Sequence, residues 1–177
     1  MAISTIPAAG LSSGVPTRAQ LPAGSVLQVL QTVKTDTFTH NNGYTFTDVT
    51  GASVVITPTS SSSKILVSYA CTLSQSASTG NYGLYARITR DGTVVVQGDA
   101  RGSTTRAATA QSVGNYNYTA QHFFQYLDSP ASTSALTYQL QVAIESGSQI
   151  IVGGSWQSGT AYNASTPTIV TVMEIAG

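Results

Sequence analysis

Charged side chains are scarce in this chain of 177 residues. Lys and Arg number 7, Asp and Glu number 7, and together they make up 8% of the sequence, against about 25% in an average protein. The net charge is zero. The chain therefore lacks the basic excess with which nucleic-acid-binding proteins neutralise phosphates and the basic patch of a membrane-surface protein. We expect neither nucleic acid nor a membrane as a partner.

Segments that would target or cross a membrane are also missing. No stretch approaches the roughly 18 apolar residues that span a bilayer. The opening residues, Met-Ala-Ile-Ser-Thr-Ile-Pro, have neither the positive n-region nor the apolar h-region of a secretory signal. The single cysteine, Cys71, excludes an intramolecular disulfide and any need for an oxidising compartment. It lies on an apolar strand face, which predicts a small buried hydrophobic residue rather than a reactive thiol.

The chain offers little for catalysis, metal binding or a cofactor. Its two histidines, His40 and His122, are far apart in sequence, and no Cys or carboxylate joins them at metal-ligand spacing. No Gly-x-Ser-x-Gly elbow, P-loop or Gly-x-Gly-x-x-Gly motif occurs. Glu145 and Glu174 fall on predicted strands, and no pattern pairs them as acid and base. The sequence predicts a protein that is not an enzyme and has no catalytic residue, metal site or cofactor.

Hydroxyl side chains replace the missing charge. The sequence contains 23 Ser and 25 Thr, or 27% of the chain, beside 41% hydrophobic residues. This apolar content argues against disorder, and Thr, Val, Ile and Tyr favour strands. Such an uncharged polar surface lets copies pack side by side with little repulsion, which suits an assembly subunit.

Strand patterns recur from Gly24 onward, and no helix is predicted. In the clearest strand, which covers residues 64–73, Ile65, Val67, Tyr69, Cys71 and Leu73 alternate with the intervening residues. Asp91-Gly92 predicts a hairpin turn, and residues 98–115 and 153–167 are interpreted as long loops. The other predicted strands cover residues 25–33, 44–49, 52–57, 81–90, 93–97, 116–127, 136–145, 149–152 and 168–175. Nine or ten short strands linked by turns predict an all-β protein, an antiparallel β-sandwich of jelly-roll type over residues 24–177.

Residues 1–23 differ in composition from the rest. They contain three prolines and show no sustained period of 2 or 3.6, which excludes helix and central strand. A frayed terminus would explain this composition. An extended N-terminal arm that anchors the subunit to a neighbour would also explain the scattered aliphatic residues, of which we take the anchors to be Ile3, Ile6, Leu11 and Leu21.

Two further groups of residues are candidates for contacts. Arg101 and Arg106 fall in the first long loop, where they are either solvated or form an inter-subunit contact with Asp99 or a partner carboxylate. Tyrosines near loop ends could stack on carbohydrate, since tyrosine combines a flat apolar face with a polar tip, but packing in the core or an interface explains them better. These tyrosines are Tyr82, Tyr85, Tyr116 and Tyr118.

Several segments together resemble small virion structural proteins of tailed bacteriophages, especially cyanophages. They include the opening heptapeptide, Pro-Ala-Gly-Ser-Val-Leu-Gln-Val at 22–29, Thr-Phe-Thr-Asp-Val-Thr-Gly at 45–51, Ile-Thr-Pro-Thr-Ser-Ser-Ser-Ser-Lys-Ile-Leu-Val at 56–67, Leu-Asp-Ser-Pro at 127–130 and Val-Thr-Val-Met-Glu-Ile-Ala-Gly at 170–177. The resemblance implies a β-sandwich subunit, commonly trimeric, on the virion surface after assembly in the host cytoplasm.

Three functions follow as alternatives. The first is a capsid decoration (cement) protein that stabilises the head shell as a homotrimer, with the major capsid protein or another virion protein as its partner. The second is a tail-fibre or other tail component involved in host receptor binding. The third, a glycan-degrading enzyme, lacks the paired carboxylates it would need. We expect the first, because a short chain with an arm and no fibrous shaft suits a protein that covers a shell.

Overall fold

The chain folds into strands and loops. A computed structural model describes residues 21–41, 43–116, 118–145, 147–157, 159 and 163–177, and this part contains no helix, and hence none that could cross a membrane. Eleven strands occur in it: β1 (Val26–Lys34), β2 (Phe38–His40), β3 (Thr47–Ile56), β4 (Lys64–Gln75), β5 (Tyr82–Arg90), β6 (Thr93–Val94), β7 (Thr109–Val113), β8 (Thr119–Asp128), β9 (Leu136–Ile144), β10 (Ile150–Val152) and β11 (Thr168–Ile175).

The strands form two antiparallel sheets. In sheet A, β4 pairs with β8 along one edge, and with β11 and β10 along the other. Strand β1 then extends the sheet beyond β11, and β2 extends it beyond β10. Sheet B has the order β3-β9-β5, and both β6 and β7 pair with the far edge of β5.

The eight longer strands have the connectivity of a jelly roll. Numbered one to eight along the chain, they pair first with eighth (β1·β11), second with seventh (β3·β9), third with sixth (β4·β8) and fourth with fifth (β5·β7). This is a chain folded in half and then rolled into two sheets, with successive pairs alternating between the sheets. The predicted fold class, an all-β antiparallel sandwich of jelly-roll type, is confirmed.

The core lies between the sheets and follows the period-2 patterns of the sequence. The odd-numbered residues of β4 from Ile65 to Leu73 are all buried, and their even-numbered neighbours from Lys64 to Ala70 stay partly or fully exposed. Alternate residues of β9 and β5 face them from sheet B, including the fully buried Tyr138, Leu140 and Leu84. Burial of each large side chain contributes about 1.5–3 kcal/mol, and the protein needs no disulfide: Cys71 is buried and free.

Some strands differ from the prediction. Residues 98–115 are not entirely loop, because β7 (Thr109–Val113) pairs with β5, and β6 is shorter than predicted. The two predicted strands at 44–49 and 52–57 form one strand, β3, which continues through a register irregularity between Asp48 and Ser53. Gly51 lies in this irregularity with φ +79°, a conformation that glycine adopts without steric cost.

The Asp91-Gly92 turn is as predicted. Both residues have positive φ, 48° and 81°, as a two-residue type I′ hairpin requires. The Asp91 carboxylate also accepts a hydrogen bond from the backbone N–H of Thr137, at 2.9 Å. The turn between β5 and β6 is thereby tied to the start of β9.

Candidate functional site

The outer face of sheet A carries rows of apolar side chains that are partly or strongly exposed in the described part of the chain. The strand register aligns four residues in each row, one each from β1, β11, β4 and β8. Two apolar rows enclose a polar one. The rows are Val29–Met173–Leu66–Leu127, Gln31–Thr171–Ser68–Gln125 and Val33–Ile169–Ala70–Phe123. We call these twelve residues the row surface.

The ends of the apolar rows are strongly exposed. Phe123 is 66% exposed, Val29 52%, Val33 51% and Leu127 43%. The row surface contains no charged residue, and Lys64, next to it on β4, is the nearest outward-facing charge on these four strands. Isolated apolar side chains are normal on a protein surface, but contiguous ones mark contact sites.

The edge strands beside the row surface also lack exposed charged residues. Strands β1 and β8 form the two edges of this part of sheet A. Soluble proteins commonly place charges or prolines on exposed edge strands to prevent pairing with other chains. Here the only charged residues on the two strands, Lys34 and Asp128, are buried. The face and its two edge strands therefore present no exposed charge that would oppose contact with another protein surface.

A shallow cavity opens at the Phe123 end of the row surface. Its volume is about 330 Å³, and Ala70, Thr72, Phe123, Pro167 and Ile169 are among its lining residues. It lies across the β8–β4–β11 part of the sheet. An apolar side chain of a partner could enter it beside Phe123.

His122 belongs to the interior. It is 3% exposed, and its Nδ1 lies 2.8 Å from the Thr109 hydroxyl, which lies 2.7 Å from the Tyr69 hydroxyl. Burial lowers the pKa of the imidazole to about 4 and raises the pKa of Cys71, its cross-strand neighbour, to about 12. Neither group is a poised base or nucleophile, because the neutral form of each dominates near pH 7.

Glu174 is a second interior group. Its carboxylate accepts hydrogen bonds from Thr59 (N at 2.6 Å, Oγ1 at 2.7 Å), Ser63 Oγ (2.7 Å) and Gln28 Nε2 (2.6 Å). Burial raises its pKa, but these hydrogen bonds outweigh burial and hold the pKa below the ordinary 4.5. The carboxylate joins β1, β11 and the loop before β4, which is a structural role.

An ionic cluster joins the two sheets. Asp128 on β8 of sheet A accepts hydrogen bonds from Arg90 on β5 and from the Tyr138 hydroxyl on β9, the latter at 2.7 Å. Burial, and then the adjacent carboxylate, raise the pKa of Tyr138. Each member of this cluster has its partner within the subunit. Charged residues are few in this chain, and those of the cluster, like Glu174, have a structural role.

The loop arginines are exposed and separate from the row surface. Arg106 donates to the carbonyl of Gly98 at 2.7 Å, and the carbonyl of Arg101 accepts from Thr104. Within the described residues neither arginine forms an ion pair, with Asp99 or with another carboxylate. A contact to a partner carboxylate stays a prediction. Of the predicted arm anchors, Leu21 is partly buried, and Ile3, Ile6 and Leu11 lie outside the described residues.

The four tyrosines do not form one patch. Tyr82 and Tyr85 are an odd number of positions apart on β5 and therefore point to opposite faces of sheet B. Tyr118 is 60% exposed, whereas Tyr116 is partly buried. No group of three or more His, Cys, Asp or Glu residues in the described ranges could hold a metal ion.

Sequence reasoning missed the row surface. The signal was present, since Val29 and Val33, Leu66 and Ala70, and Phe123 and Leu127 are apolar pairs four residues apart. The other phase is apolar in β4 and mixed in β1 and β8, so the pattern did not tell which face was left outside. The strand register was needed to bring the pairs into rows.

Comparisons with known proteins gave structural similarity alone. No protein-family model matches the sequence, and no curated protein matches it. The fold is similar to a chain in the structure of infectious bursal disease virus Gx strain, with 14% identity and a TM-score of 0.44 over 88% of this chain and 39% of that one. It is also similar to the D431N mutant VP2 protein of infectious bursal disease virus from derived T=1 particles, with 14% identity and a TM-score of 0.40 over 85% and 36%.

Proposed function

We propose that this chain is a structural subunit of a virus particle, a capsid decoration protein that associates as a homotrimer. The observation that carries the proposal is the row surface, an uncharged apolar face that ends in two edge strands without exposed charge. A jelly roll is one of the folds from which viral shells are built. The sequence resemblance to small virion proteins of tailed bacteriophages supports the same role.

The occupant of the row surface in this proposal is a second copy of the chain. The face covers four strands over five residues each and measures on the order of 300 Å², from a rise of about 3.3 Å per residue and a strand spacing of about 4.8 Å. A stable interface buries about 800 Å² on each partner, so the face supplies roughly two fifths and flanking loops the rest. Contacts around a threefold axis are heterologous. Each copy therefore offers its row surface to a different part of its neighbour.

The arm and the loop arginines have separate roles in the proposal. Residues 1–23, with Ile3, Ile6, Leu11 and Leu21 as apolar anchors, bind the neighbouring virion protein, which in a head shell is the major capsid protein. Fixing an extended segment costs about 1–2 kcal/mol per residue, and burial of the four anchors, at about 1.5–3 kcal/mol each, offsets part of this cost. Arg101 and Arg106 contact a carboxylate of an adjacent subunit.

The proposed role requires no catalysis. The buried His122 and Glu174 are held by hydrogen bonds within the subunit, at 2.8 Å and 2.6–2.7 Å. Glu145 accepts from the N–H of Gly83 at 3.2 Å. In this proposal these three groups stabilise the fold through their hydrogen bonds. His122→Gln and Glu145→Gln should therefore change folding or assembly and abolish no enzymatic activity.

Two measurements test the function. Quantitative mass spectrometry of purified particles should find the chain in a fixed ratio to the major capsid protein, and emptied heads should keep it. Light scattering of the isolated protein at micromolar concentration should give three times the chain mass of 18.3 kDa. Absence from particles would overturn the virion role, and co-purification with detached tails would move the subunit from head to tail. A monomer mass would overturn the trimer.

A further inference from the structure

A polar groove surrounds the only tryptophan of the chain, at the end of sheet A away from the Val29–Leu127 row. Trp156 is 43% exposed. It lies between two depressions of about 280 Å³ and 390 Å³, and a third of about 200 Å³ shares Thr39 with the first and Asn41 and Gln149 with the second. The three depressions therefore adjoin one another where β2 forms the edge of sheet A beside β10.

Most side chains that line the groove are polar and uncharged. They carry hydroxyls or amides, as in Thr39, Ser148, Gln149 and Asn163, and His40 lies at one end. No Asp, Glu, Lys or Arg lines any of the three depressions. A site without charge does not favour ionic ligands. Its donors and acceptors suit a neutral ligand rich in hydroxyl groups.

One donor in the groove is left without a partner. The amide nitrogen of Asn163 is buried and makes no hydrogen bond in the described part of the chain. A buried polar group without a partner costs about 1–3 kcal/mol. This nitrogen is closed to solvent, so a ligand oxygen in the first depression would reach it only after rotation of the Asn163 side chain, which lines that depression.

The groove is preorganised by backbone and hydroxyl contacts beneath the tryptophan. Ser155 N–H donates to the carbonyl of Ala164 at 3.1 Å, and Ser74 Oγ donates to the carbonyl of Gly154 at 2.8 Å. A side chain at Gly154 would meet the Ala164 carbonyl at 2.9 Å, so only glycine permits this close approach. These contacts tie the segment that carries Trp156 to sheet A.

We propose that this groove is a binding site for a neutral saccharide. The flat apolar ring of Trp156 would stack on the C–H face of a sugar ring, as amphipathic aromatic residues do at wet interfaces. The hydroxyl and amide side chains would bind the sugar hydroxyls on either side of the ring. The adjoining depressions on both sides of Trp156 favour an oligosaccharide over a single residue. The inference is independent of the assembly role, because it uses none of the row-surface residues.

The uniqueness of Trp156 makes its fluorescence a reporter of this site alone. The full-length protein is titrated with maltotriose, cellotriose, triacetylchitotriose and lactose, with sialyllactose as a charged comparison. The proposal predicts a saturable change in emission with at least one neutral sugar. Thr39→Val and Asn163→Ala should weaken that binding at least tenfold while keeping the reporter. The control Thr93→Ala, at an exposed position on β6 of sheet B, should leave it unchanged.

Three outcomes would overturn the proposal. They are a flat titration with every sugar, a response that Thr39→Val and Asn163→Ala leave intact, and an emission spectrum that shifts with protein dilution in the absence of sugar. The last outcome would place Trp156 in a contact between copies. Saturation-transfer NMR on the wild type and on Trp156→Ala provides a second measurement, in which transfer to the sugar should be lost in the variant because no ring is left to stack on it.

Discussion

Phe123 on β8 and Ala70 on β4 are direct cross-strand partners on the outer face of sheet A. Because alanine is too small to cover it, the phenylalanine ring stays 66% exposed beside a cavity of about 330 Å³. A ring in this position adds little to the stability of the isolated subunit. In the proposed trimer, this ring would be covered by a neighbouring subunit.

Phe123→Lys should therefore separate association from folding. We expect a change of within about 0.5 kcal/mol in the free energy of unfolding, as for other surface substitutions, and a fall from trimer to monomer mass in light scattering. Val55→Lys is the matched control, because Val55 is 53% exposed on β3 of the other sheet. A Phe123→Lys protein that stays trimeric would remove the row surface from the interface.

Glu174 should make stability depend on pH in the acid range. Its pKa is held below 4.5 in the folded state, so the stabilisation is complete above the unfolded pKa and is lost as the pH falls through the folded pKa. Urea unfolding between pH 6 and pH 3 should show a decline below about pH 4.5. In Glu174→Gln this decline should be reduced, and stability near pH 7 should fall by about 1–3 kcal/mol. An unchanged pH profile in the variant would contradict this role.

Protonation of His122 should change the stability of the protein at higher pH than protonation of Glu174 does. Its pKa falls from 6.5 to about 4 on folding, so the unfolded chain takes up a proton first as the pH falls. Stability is then complete above about pH 6.5 and declines towards pH 4, by up to about 3 kcal/mol. In His122→Gln the decline in stability between pH 6.5 and pH 4 should be reduced, and the decline below pH 4.5 should remain. An NMR titration that gave His122 a pKa near 6.5 would refute the prediction.

Strand existence was largely predictable from sequence, since the inward face of β4 from Ile65 to Leu73 alternates cleanly. Strand β7 was missed because Thr-Ala-Gln-Ser-Val offers one large apolar residue, Val113, and most of its side chains are exposed. The two predicted pieces of β3 looked separate because Gly51 interrupts the pattern. In each of these segments, sheet pairing overrides weak local preference.

The candidate sites were less predictable than the fold. Strand β5 has apolar or tyrosine side chains in both phases of its sequence, but Arg87 on its outer face stacks on Phe46 at 3.8 Å and donates to Gln141. The larger uncovered apolar surface lies on sheet A instead. The groove around Trp156 combines two strands with loops distant in sequence. Only the folded register brings Asn41, Gln149 and Asn163 to one tryptophan.

The arm gives a further prediction. Deleting residues 2–21 should leave a folded, β-rich protein, because the paired strands begin at Val26, and circular dichroism should confirm this. Particles assembled where only the truncated protein is produced should not contain the truncated protein. Replacing Ile3, Ile6, Leu11 and Leu21 by serine in the full chain should reproduce the loss, whereas Arg18→Ala should not. If the truncated protein occupies particles fully, the arm is not an anchor.

The most direct test of the assembly role is a reconstruction of the intact particle by electron cryomicroscopy. We expect threefold density on the head shell into which three copies of the sandwich fit, with the β1–β11–β4–β8 face of each copy covered by its neighbour. Particles without this density, or copies whose row surface faces solvent, would contradict it.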